Sequence, residues 1–130
     1  MTRASEPDAV ERAVRALRTR DHTATSLDAL LEHRGVAAQE RADALVRLRE
    51  LGYLDDERVA HDRARALAAR GRGDLLIAAD LERRGVPPEL AEDAIGALEP
   101  EADRATAIVA GRGHSVRTAR LLASRGFASE

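Results

Sequence analysis

Apolar residues recur along this chain at spacings of three and four, and nowhere at a sustained spacing of two. Ala9, Ala13, Val14 and Leu17 fall on one helical face, as do Ala44, Leu45, Leu48 and Leu51, and again Val59, Ala60, Ala64 and Leu67. Start signals divide the pattern into elements. Ser5 is read as a cap with Pro7 in the first turn and Asp8 three residues past the cap, and Thr25 with Asp28 opens a second helix that ends at Gly35. A third helix runs from about Gln39 to Gly52. Asp55-Asp56-Glu57 opens a fourth, with acids at the positive end of the dipole, and that helix stops near Gly71. Ile77 and Leu81 mark the fifth. Pro87-Pro88 fits only the start of the sixth, whose face is Leu90, Ala94 and Leu98. Residues 101–110 and about 115–125 form a last pair. The expected fold class is all-α.

The helix endings repeat. Leu31-Glu32-His33-Arg34-Gly35-Val36, Leu81-Glu82-Arg83-Arg84-Gly85-Val86 and Leu122-Ala123-Ser124-Arg125-Gly126-Phe127 share the pattern Leu-x-x-Arg-Gly-apolar. The glycine takes the left-handed turn past a helix cap, and the next residue folds back onto the leucine. Leu48-Arg49-Glu50-Leu51-Gly52-Tyr53 is a fourth ending, pairing Tyr53 with Leu48, so Tyr53 is read as a packing residue. Self-similarity at this spacing predicts tandem three-helix modules: residues 1–53, residues 54–98 and a partial third of two helices over residues 99–130. The modules are expected to stack, and a chain of helical modules is a shape for gripping a partner.

Composition narrows the class. Of 130 residues 44% are hydrophobic and only 2% aromatic, with alanine nearly half of the hydrophobic set, so helices form easily over thin cores. Cysteine is absent, which removes disulfides and thiolate chemistry and suits a reducing cytoplasm. No apolar run approaches the ~20 residues of a membrane span. The net charge of −2 argues against bulk electrostatic nucleic-acid binding. All 21 basic residues are arginine, a bias that a GC-rich genome also produces. Their arrangement is more telling: Arg104, Arg112, Arg117, Arg120 and Arg125 follow Asp103 with no acid before Glu130, the best candidate for an anionic contact.

No constellation supports catalysis. Asp55 and Asp56 are helix caps in this reading. Glu57 and His61 lie one turn apart without a third metal ligand, and His22, His33 and His114 are scattered. Gly71-Arg72-Gly73 and Gly111-Arg112-Gly113 are glycine-rich turns with no preceding strand and no P-loop lysine. Ser5, Ser26, Ser115 and Ser124 have no paired base. A non-enzyme with no cofactor and no metal is expected.

The segment Gly52-Tyr53-Leu54-Asp55-Asp56, followed by Glu57-Arg58-Val59-Ala60, resembles the box between the first and second modules of the bacterial RecX family. The likeness continues through Arg70-Gly71-Arg72-Gly73, Ile77, Leu81, Gly85, and Leu121 to Phe127, covering roughly residues 26–127. Val59 departs from it, standing where the family usually has an aromatic. The sequence also stops where the family continues into a last helix, so Leu121, Leu122 and Phe127 are expected to lack part of their covering. The resemblance implies tandem three-helix modules stacked into an elongated curved body, and a regulator that binds the RecA recombinase filament on single-stranded DNA and mainly inhibits it; a cytoplasmic monomer with weak direct DNA contact is expected. Gly52, Tyr53, Leu54, Asp55, Asp56, Gly85, Arg125, Gly126 and Phe127 then serve mainly structure. The residues singled out for partner binding are Arg70, Arg72, Arg83, Arg84, Arg112, Arg117 and Arg120. Two other classes compete, a helix-turn-helix-like reader of duplex DNA and a helical adaptor for another protein. The first needs base-reading side chains, and the chain contains no asparagine.

Overall fold

A computed structural model describes residues 8–128, and among them every regular element is a helix. In chain order these are α1 (Ala9–Thr19), α2 (Ala24–His33), α3 (Ala38–Glu50), α4 (Asp56–Ala69), α5 (Asp74–Arg83), α6 (Pro88–Gly96), α7 (Glu101–Arg112) and α8 (Val116–Ser124). The chain divides into two compact units, with the boundary between Val59 and Ala60 in the first turns of α4. Helices α7 and α8 belong to the second unit.

The first unit closes α1, α2 and α3 around Ala13, Leu27, Leu31, Ala44 and Leu48. Leu54 from the box adds to that core. The second unit builds its core from Ala60, Ala64 and Leu67 of α4, Ile77 and Leu81 of α5, Val86, and Ala94 of α6. Alanine dominates one wall of each core, so neighbouring helices approach closely over little buried area.

The repeated endings form as their sequence requires. The amides of Val36, Tyr53, Val86 and Phe127 donate to the carbonyls of Leu31, Leu48, Leu81 and Leu122 at 2.9–3.0 Å, and the glycine between has a positive φ in all four cases. Arg72 donates to the Leu67 carbonyl at 3.0 Å around Gly71, a fifth ending of the same kind. Tyr53 departs from the expected packing. Its backbone makes the bond, but its side chain is 50% exposed, and Leu54 is the residue that turns into the core at 4%.

Two of the expected helix starts and one expected turn shift. Ser5 and Pro7 lie outside the described residues, and Asp8 is itself the cap of α1, accepting from the Glu11 amide at 2.8 Å. Helix α2 is capped by Thr23 rather than Thr25: Thr23 and Ser26 each accept the other's amide, a reciprocal box that Ser26 closes with its hydroxyl. The Gly111-Arg112-Gly113 turn is displaced as well, because α7 runs on through Gly111 and Arg112.

Candidate interaction surfaces

The Gly-Tyr-Leu-Asp-Asp box is a structural clasp. Gly52 turns the chain, Leu54 enters the core, and Asp55 caps α4 by accepting the Arg58 amide at 3.0 Å. Asp56 reaches further. Its Oδ1 accepts the Ala24 amide at 2.8 Å, satisfying an unpaired donor in the first turn of α2, 32 residues earlier. Arg58 adds an ion pair to Asp21 at 2.9 Å, and that hydrogen bond holds the Asp21 carboxyl below its ordinary pKa. Beside it His22 is buried against Ser26, Nδ1 to Oγ 3.1 Å, and burial pushes its imidazole pKa down.

The third copy of the repeated ending has a role the first two lack. The carbonyls of Arg125 and Gly126 accept the amides of Gly73 and Leu75, at 2.7 and 3.0 Å, so the end of α8 caps the start of α5. The approach is backbone on backbone. A Cβ on Gly73 would lie 2.5 Å from the Gly126 carbonyl, and one on Gly126 would lie 2.5 Å from the Leu76 backbone. Glu101, the first residue of α7, accepts the Asp74 amide at 3.0 Å and the Ala128 amide at 3.3 Å. Phe127, expected to be short of covering, is therefore buried, with the Arg104 guanidinium 5.9 Å from its ring centroid. Leu121 and Leu122 are half-buried.

Arg104 is the most enclosed arginine of the acid-free stretch. It pairs with Asp74 and donates to the carbonyls of Glu99 and Arg72, both at 2.9 Å, so it holds α7 to the α4–α5 turn. Arg125 lies over Gly71, where its guanidinium would meet an added Cβ at 3.1 Å. Arg112, Arg117 and Arg120 are exposed and make no ion pair among the described residues. Arg70 is exposed too, and its carbonyl accepts a 3.4 Å bond from Arg72.

Arg83 and Arg84 belong to a local network. Asp80, 5% exposed, accepts Arg63 through Nε and Nη2 at 2.9 and 3.1 Å, Arg84 through Nε at 2.9 Å and Arg83 at 3.3 Å. The Arg63 hydrogen bonds, then those of Arg84, hold its carboxyl below the ordinary pKa against the cost of burial. Sequence inspection missed Asp80, Arg63, Glu101 and Asp56 as tertiary partners. Asp80 alone left a trace, an acid in the slot that the first module fills with Leu30.

Among the described residues no three potential metal ligands gather, and no helix is long and apolar enough to cross a membrane. Repeated three-helix modules, with glycine endings and acids at the starts of α4 and α7 that clasp the starts of α2 and α5, define the class as a tandem helical-module protein. The family model described as RecX, second three-helix domain, matches residues 55–95. A regulatory protein RecX of Chromohalobacter salexigens is 35% identical over 124 residues, covering 88% of this chain and 82% of that protein. One of Trichlorobacter lovleyi is 36% identical over 97 residues, covering 73% of this chain and 63% of the relative. The crystal structure of RecX from Lactobacillus salivarius superposes with a TM-score of 0.78 over 92% of this chain and 86% of that one, at 17% identity, a likeness of fold. The chain belongs to the RecX family of regulatory proteins. It spans 63% of the T. lovleyi relative and 55% of one from Mycolicibacterium smegmatis.

Proposed function

We propose that the protein binds the RecA recombinase filament on single-stranded DNA and limits its strand exchange and ATP turnover without chemistry of its own. Membership of a family of regulatory proteins supports the reading, and one structural observation carries it to residues. Arg112, Arg117 and Arg120, at the end of α7 and along α8, stand in solvent with no ion-pair partner among the described residues, while Arg104 of the same stretch is committed to the fold. Arg117 and Arg120 lie three apart on α8 and share a face. Their planar forks suit acidic recombinase surface or a phosphate beside it. Arg70 and Arg72 form a second set at the α4–α5 turn, and Arg83 and Arg84 contribute the positive charge left over around Asp80.

Co-sedimentation with recombinase, with and without single-stranded DNA, tests the reading. Binding should require the recombinase, and Arg117→Glu with Arg120→Glu should weaken it by about 1–3 kcal/mol with helical content unchanged. A reversed protein that inhibits as well as the parent places the contact elsewhere. Affinity for bare duplex DNA that falls steeply with salt supports the duplex reader instead.

A further inference from the structure

The two modules align without a gap on the turn glycines Gly35 and Gly85, fifty positions apart, so that α2 matches α5 and the start of α3 matches that of α6. In the first module the groove of this hairpin is filled from within. Arg41 of α3, 15% exposed, donates Nε to Asp28 at 2.9 Å and Nη1 to the Val36 carbonyl at 2.8 Å, and its Nη2 lies 3.7 Å from Glu32. Two carboxylates and one carbonyl enclose one guanidinium.

Fifty residues on, the guanidinium is missing and part of its surroundings is kept. Ala91 stands at the position of Arg41 and Ala78 at that of Asp28. Glu82 and Val86 match Glu32 and Val36, and Glu92 replaces Ala42 on the rim, so the count of two carboxylates is preserved. The truncated side chains leave a groove of about 450 Å³ floored by Ala78, Val86 and Ala91 and flanked by Glu82, Glu92 and Ile95. Neither glutamate has an ion-pair partner among the described residues. The arginines next to Glu82 in sequence do not fill the gap, because Asp80 draws Arg83 and Arg84 to another face of α5.

We propose that this groove receives an arginine presented by a helix of a protein partner, which takes the place that Arg41 occupies in the first module. The guanidinium fork pairs with Glu82 and Glu92 and with the Val86 carbonyl, and the aliphatic stem lies on Ala78, Ala91 and Ile95. A helix is the fitting carrier, because a cleft between two packed helices accepts a third along its length. The inference goes beyond the recombinase reading and does not depend on it.

The test uses two blocked, alanine-based helical peptides, identical except for arginine or glutamine at one central position. Each is titrated into the isotope-labelled full chain while backbone amide shifts are followed. The arginine peptide should bind about tenfold more tightly, moving amides between residues 78 and 95 and leaving those between 28 and 45 in place. Ala78→Asp with Ala91→Arg, which rebuilds the internal pair of the first module, should abolish the preference with circular dichroism unchanged. Should that variant not fold, Glu82→Gln with Glu92→Gln, both on exposed positions, makes the same comparison. Equal affinity for the two peptides, or a preference that survives either double variant, overturns the proposal. So do concentration-dependent shifts of these amides without peptide, which would make the occupant a second copy of the chain. Filament co-sedimentation of the Ala78→Asp, Ala91→Arg protein is scored separately, so either reading can fail alone.

Discussion

At the start of α2 the unpaired amides are met mostly by side chains at hand, Thr23 and Ser26, with Asp56 arriving from the start of the next module's first helix. At the start of α5 the cap residue, Gly73, has no side chain to accept an amide. Glu101 arrives from the matching place, the first residue of α7, but the other acceptors are carbonyls at the end of α8. The acidic clasp is thus common to both modules, and what differs is how far the remaining acceptors lie along the chain. A glycine at position 73, where the first module has Thr23, gives up a hydroxyl cap so that another backbone can come within bonding distance. Local capping leaves α2 with one distant acceptor, Asp56, whereas α5 depends also on the integrity of a turn some fifty residues away.

The largest break in this symmetry should come from Gly126→Ala. The added Cβ meets the Leu76 backbone at 2.5 Å, and Gly126 has φ +91, so steric and conformational costs combine. A loss of about 2–4 kcal/mol in chemical denaturation is expected, together with faster exchange of the Gly73 and Leu75 amides. A variant as stable as the parent would show that α8 does not cap α5. Next in size, Asp56→Ala should cost about 1–2 kcal/mol by leaving the partly buried Ala24 amide without its acceptor, and Glu101→Ala should match it if the two clasps are equivalent. Gly35→Ala isolates the conformational term, because the added Cβ meets nothing within 4 Å and only φ +84 opposes it. About 1 kcal/mol is expected by thermal melting. The gap between that value and the Gly126→Ala loss measures the docking itself.

The smallest effect should be a difference between the units in acid. The His22 imidazole has its pKa pushed below the ordinary 6.5 by burial, so its contribution is complete above that value and is lost as pH falls through the lowered one. Asp80 in the second unit likewise stabilises above its ordinary 3.8 and loses that contribution at lower pH. The first unit should therefore weaken first on acidification, read from amide exchange at pH 7 and pH 5. His22→Gln should flatten that limb, and an unchanged profile would remove His22 as its origin.

The helix-end glycines were legible in the sequence because the chemistry of a Schellman ending is contained in six consecutive residues. The order of eight helices followed from that punctuation together with apolar spacing. The caps were read less well. Thr23 and Thr25 are equally good residues two positions apart, and only the placement of His22 and Ser26 decides between them. Tyr53 was misplaced by one step, since either it or Leu54 could satisfy the apolar position after the glycine. The roles of Asp56, Glu101, Gly73 and Arg104 were not legible, because each depends on a partner some thirty to fifty residues away that local pattern does not specify. The difference between Arg41 and Ala91 was written in the sequence all along, but it acquires meaning only once Arg41 is seen enclosed by Asp28, Glu32 and Val36.

The contact of Arg125 and Gly126 with Gly73 and Leu75 also fixes an order of events during synthesis. The first unit holds all its core residues within its own stretch of chain and can fold as it emerges. The second cannot finish when α6 appears, because the first-turn amides of α5 wait for acceptors translated after α8. At the ~5–20 residues per second of synthesis, the fifty residues between Gly73 and Gly126 amount to roughly 3–10 seconds with α5 only partly capped. A stalled nascent chain ending before Arg125 should therefore show a protected first unit and a second one still open to exchange.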